Sequence, residues 1–150
     1  MHLLIHLLVV VFLGLPLGLI DEMGGESHAS EQLSSVVMLR PDSDGVQRAT
    51  IRLTSYKFQP NHLSVQVGYP VELVLVNESF LVPHNFVLHA PEAGLDINQS
   101  VGAGETAVVR FTPRQAGTYV FFCDKQLLFF PSHREEGMEG QLDVRTQADS

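Results

Sequence analysis

One cysteine, no tryptophan and only nine basic residues stand in 150 positions. Each scarcity excludes something. A single cysteine cannot close an internal disulfide, so Cys123 is a buried thiol, a reactive thiol or a metal ligand. Nine Lys and Arg against seventeen Asp and Glu give a net charge of −8. Without residues 1–29, which hold three acids and no Lys or Arg, nine bases face fourteen acids and the balance is −5. That argues against a nucleic-acid partner, whose phosphates need clustered Lys and Arg. No stretch repeats, and the pattern contains no amphipathic helix of any length. The length suits one domain with a single core.

What is present begins with an apolar run, LLIHLLVVVFLGLPLGLI, over residues 3–20. It reads as a signal peptide, with Ser27-His28-Ala29 as a cleavage site, or as a membrane anchor. Pro16 and Gly18 suit a signal peptide better than a spanning helix. Either way the rest of the chain is expected outside the cytoplasm, in the periplasm or held to the inner membrane. Residues 1–29 form this leader, residues 30–45 a polar linker with a short strand near Ser35–Arg40, and residues 46–150 the folded domain.

From Val46 onward, short alternating runs are broken by turn residues, the signature of a β-sandwich. Ile51 and Leu53 alternate with Arg52, and the apolar parity then shifts to Tyr56 and Phe58, which predicts a bulge or bend. Leu63, Val65 and Val67 form another inward face. Val71 to Val76 is apolar apart from Glu72, as a strand covered on both faces would be. Phe86 and Leu88, then Ala107, Val109 and Phe111, then Tyr119, Phe121 and Cys123, then Leu142 and Val144 complete the series. Residues 91–104 read as a Gly- and Pro-containing crossover. The expected fold class is all-β, with about seven or eight strands.

Four residues carry the chemistry. Cys123, His133 and Met138 lie at and beyond the end of one strand, and His84 lies upstream beside Pro83. Cys alone reads as a small buried hydrophobe, His84 as a turn residue and Met138 as core packing. Together, a thiolate, two imidazoles and a weak thioether make the ligand set of a mononuclear blue-copper site. Glu135 and Glu136 are competing donors for the axial position.

These residues, with Phe58-Gln59-Pro60, Leu63 to Gly68, His84-Asn85-Phe86, Gly117 to Cys123 and Gly137 to Gly140, make the chain from about 48 to 146 resemble the cupredoxins. That superfamily includes plastocyanin, azurin and pseudoazurin. The resemblance implies a Greek-key sandwich with one copper ion near one end, held by His84, Cys123, His133 and Met138. It also implies that the amide region of Asn85 hydrogen-bonds the Cys123 sulfur. One departure stands out. Nine residues, Asp124 to Ser132, separate Cys123 from His133, where small cupredoxins have a shorter interval. The extra segment contains Leu127, Leu128, Phe129 and Phe130. It is either a docking patch beside His133 or a segment folded back over the metal.

His28, His62 and His89 read as surface or structural residues. His89 is five positions from His84, so a regular strand sends the two to opposite faces. Multicopper oxidases need further His pairs and domains, and these are absent from the sequence. The expectation is therefore a one-electron carrier and not an enzyme. Its partners would be redox proteins of cytochrome or oxidase-like type. The alternative is a copper-binding, trafficking or copper-resistance protein using the same site, with copper-handling partners.

Overall fold

A computed structural model describes residues 35–146. The apolar leader, His28 and the first residues of the linker lie outside the described residues. Ten strands form two sheets. They are β1 (Val37–Met38), β2 (Gln47–Thr54), β3 (Lys57–Gln59), β4 (His62–Gln66), β5 (Val71–Asn77), β6 (His84–Ala90), β7 (Leu95–Val101), β8 (Thr106–Phe111), β9 (Gly117–Phe122) and β10 (Glu139–Arg145). One sheet has the order β1-β4-β10-β9-β6-β7, the other β3-β2-β5-β8. Among the described residues the only helical element is a single 3-10 turn, Pro91–Ala93.

The all-β sandwich is the one expected, and the higher strand number has a physical origin. Strand β3 has three residues, too short to show a period, whereas β1 lies within the short strand expected near Ser35–Arg40. Strand β7 lies inside the stretch read as a crossover. Its Leu95 and Val101 are buried and its Asp96, Asn98 and Ser100 are exposed. That polarity suits a sheet edge paired only with β6. The sheet also takes in part of the stretch read as linker, since β1 pairs with β4 and Leu39 joins the core.

Strand β5 corrects another expectation. Val71, Leu73 and Leu75 are buried, while Glu72, Val74 and Val76 are half-buried on the outer face. It is covered fully on one face only. The parity shift after Leu53 is a two-residue turn, Ser55-Tyr56, that reverses the chain into β3.

Period-2 geometry then fixes what lies under the site. Phe86 follows His84 by two residues, and Phe121 precedes Cys123 by two. Both Phe rings are fully buried and stack at 4.9 Å between centroids, with Phe58 edge-on to Phe121 at 5.2 Å. Burying each contributes roughly 1.5–3 kcal/mol. Gly140 is required here, because a Cβ at that position would collide with the Phe121 ring and the Asn61 carbonyl.

Candidate metal centre

His84 opens β6, Cys123 follows β9, and His133 and Met138 lie in the loop between β9 and β10. All four are buried. Their chain segments converge through backbone bonds. The Met138 N–H donates to the His133 carbonyl at 2.8 Å, and the Cys123 N–H donates to the Met138 carbonyl at 3.1 Å.

The donor atoms of three residues are gathered. Nδ1 of His84 lies 3.1 Å from Nδ1 of His133, and Cys123 Sγ lies 3.3 Å from His133 Nδ1 and 3.8 Å from His84 Nδ1. One ligand atom from each of the three falls within 4.8 Å of the others. Glu135 and Glu136 do not join them. Both are exposed, and Glu135 turns back to accept from the Ser132 N–H and hydroxyl.

Surrounding groups orient these donors. Ser79 Oγ lies 3.0 Å from His84 Nε2. The tautomer that donates from Nε2 to Ser79 leaves the Nδ1 lone pair facing the cluster. Ser79 is itself pinned, because its N–H donates to Asn77 Oδ1 and its carbonyl accepts from Gly104 N–H. Asn77 Nδ2 also lies 2.9 Å from the Val82 carbonyl, so the loop that delivers His84 is cinched at both ends. The Asn85 N–H donates to Cys123 Sγ at 3.4 Å. Its side chain donates to Asp124 Oδ1 at 2.8 Å and accepts from the Asp124 N–H at 3.1 Å. Asn85 thus carries the role expected of it and adds a clamp on the residue after the cysteine.

Burial dominates the electrostatics. It holds His84 down to about 4, helped by nearby His133, and it lowers His133, helped by the Lys125 charge. Both rings are therefore neutral near pH 7, as ligands must be. Burial pushes the Cys123 thiol up, while the backbone N–H groups of Asn85 and Lys125 act the other way. The thiolate is thus favoured only when a cation sits at Sγ.

The nine-residue interval is closed at its base. The His133 N–H donates to the Lys125 carbonyl at 2.8 Å, so residues 126–132 form an outward excursion. Its tip is exposed: Leu127 65%, Leu128 78%, Phe129 84% and Phe130 52%. The segment does not fold back over the donors. The neighbouring loop is similar, with Phe80 and Leu81 also exposed. Sequence reasoning missed Ser79 and Tyr56, whose ring meets His133 edge-on at 5.1 Å. Ser79 is only five positions from its histidine, but the contact depends on how the loop before β6 turns, and Tyr56 lies far along the chain from His133, so its contact depends on how the loops converge.

A two-sheet sandwich with a buried thiol and two imidazoles at one end defines a small metal-binding β-domain. The chain belongs to the cupredoxin-like domain family, whose profile matches residues 28–137. No curated protein sequence matches it. Among solved structures it is similar to the metal-binding domain of the Streptococcus pneumoniae Cu(I)-exporting P-type ATPase CopA. The TM-score is 0.59 with 20% identity, covering 75% of this chain and 98% of that one. Auracyanin A, a blue copper protein of Chloroflexus aurantiacus, is similar at TM-score 0.53 and 24% identity, covering 67% and 100%. A multicopper oxidase from Campylobacter jejuni is similar at TM-score 0.54 and 17% identity, covering 75% of this chain and 29% of that one. At these identities the likeness is one of fold.

Proposed function

We propose that this chain is a one-electron carrier working outside the cytoplasm, with one copper ion held by His84, Cys123, His133 and Met138. The observation that carries the proposal is the buried cluster of two imidazole Nδ1 atoms and one sulfur within 4.8 Å. The donor chemistry fits the metal: soft sulfur and neutral imidazole, with no carboxylate among them. Copper supplies the couple between its cuprous and cupric states. The protein's part is to keep the donors in place. The sandwich, the Asn77 and Asn85 clamps and the short His133–Met138 turn hold them with little room to rearrange, which favours fast electron transfer. The Asn85 N–H at Sγ stabilises negative charge on the sulfur.

The exposed side chains at this end support a docking role. Leu128 and Phe129 on one loop and Phe80 and Leu81 on another stand beyond the two histidines. Acids and bases both lie in the longer loop, with Asp124, Glu135 and Glu136 beside Lys125 and Arg134. The exposed apolar side chains suit a redox protein with an apolar docking face. Changing Leu128 and Phe129 to Ser is expected to slow electron transfer to such a partner and leave the copper spectrum unaltered. Unchanged transfer by the spectrally normal variant counts against docking there.

Copper handling is the second reading, favoured by the likeness to a metal-binding domain of an exporter. The two part on one experiment. The domain is loaded with Cu(II), its visible and paramagnetic-resonance spectra are recorded, and it is then examined by voltammetry and by competition with a cuprous chelator. A reversible couple with slow metal loss supports the carrier. Ready transfer to the chelator without a clean couple supports handling. Residues 3–20 are assigned as the leader or anchor that places the domain outside the cytoplasm.

A further inference from the structure

Tyr56 occupies the second position of the Ser55-Tyr56 turn with φ of +55°. Gly or Asn is the residue such a position favours, because a side chain at positive φ crowds the backbone. A bulky residue persists there only when something else holds it. Here that something is the ring. It meets the His133 ring at 5.1 Å and 75°, while the His84 ring lies 4.9 Å away from His133. His133 therefore touches both a buried histidine and an exposed tyrosine. Tyr56 is 43% exposed and His133 only 6%, so the tyrosine stands between the histidine and water. The contact also joins the two sheets. Tyr56 hangs from the β2–β3 turn of the four-stranded sheet, whereas His133 belongs to the loop between two strands of the other.

We infer that Tyr56 is a positioning residue that keeps the His133 ring seated and slows release of the metal. This rests on reading His84, Cys123, His133 and Met138 as copper ligands. The strained backbone and the ring contact are separate observations, and both are accounted for by one role. A residue kept only for the turn would be Gly or Asn. One kept only for packing would not need a positive φ.

The full chain and its Y56N and Y56F variants decide the matter. Each is loaded with Cu(I), and transfer to an excess of a cuprous chelator is timed. Thermal unfolding of the metal-free chains is measured alongside, with NMR line shapes of the His133 ring. Asn tolerates the turn and lacks the ring, so Y56N is expected to unfold no earlier than the parent. It should nevertheless lose copper about tenfold faster, the lower end of what removing a group behind a ligand costs. Its His133 ring should show broadened or averaged signals without metal. Y56F keeps the ring and should release copper at the parental rate. Parental release from Y56N overturns the inference, as does a Y56F that behaves like Y56N. A lower unfolding temperature in Y56N with parental ring signals does so too, since the ring is then ordinary packing. A parent that binds no copper fails earlier and differently: it removes the copper reading itself, and the role of Tyr56 with it.

Discussion

Two histidine clusters involve the same six-stranded sheet and use their nitrogens in opposite ways. On β4, His62 Nε2 lies 2.9 Å from Asp143 Oδ2 of the neighbouring β10, with Gln141 and Thr118 completing the group. It is half-buried, and a carboxylate answers the imidazole. At the end of the sheet, His84 and His133 turn Nδ1 toward each other and toward a thiol, with no carboxylate between them. The first cluster is complete as protein. The second gathers soft donors whose remaining partner is a cation. Residue type does not separate them; burial and the neighbour do.

The comparison can be broken most sharply at the sulfur. Cys123→Ser should abolish the intense visible absorption of the copper-loaded chain, whereas His62→Gln should leave that spectrum intact. A spectral change in the His62 variant would erase the distinction. Phe121→Ala comes next. It removes the ring under the buried cluster and should cost about 3–5 kcal/mol by urea unfolding.

Acid then separates the clusters by pH. His84 in the folded chain is depressed to about 4 from an ordinary 6.5. Its contribution is present above the unfolded value and is lost as pH falls from 6.5 toward 4. His133 is shifted in the same direction. For Asp143, burial works upward, but hydrogen bonds from His62, Thr118 and Gln141 outweigh it and hold the carboxyl at about 2, against 3.8. That contribution disappears later, between 3.8 and 2. The metal-free chain should therefore lose stability in two stages, and His84→Asn should diminish the upper one, leaving the share of His133. A single transition near pH 4 in both chains would contradict this. Smallest of all, Asp143→Asn should cost about 1 kcal/mol at neutral pH, weaken the lower stage and leave copper binding alone.

Much of this was legible in the sequence, for physical reasons that differ by element. Alternation at Ile51–Leu53, Leu63–Val65 and Phe86–Leu88 exposes strand faces directly, since side chains alternate across a sheet. The donor types and their order marked the site. What stayed hidden is long-range. The short strand expected near Ser35–Arg40 is β1, but its parallel pairing with β4 could not be read locally. The His62–Asp143 pair spans 81 positions. Strand β7 was masked by the Gly and Pro around it, and Tyr56 announced a bend but not the ring it would touch.

The hydrogen bond from His133 N–H to the Lys125 carbonyl has a consequence for how this domain can change. Counted through that bond, only Asp124 and Lys125 separate Cys123 from His133, however long the excursion beyond it. Lengthening a loop already closed at its base adds little entropic penalty. The segment 126–132 is thus a graft point, where the surface presented at this end can be rewritten while the buried donors keep their geometry.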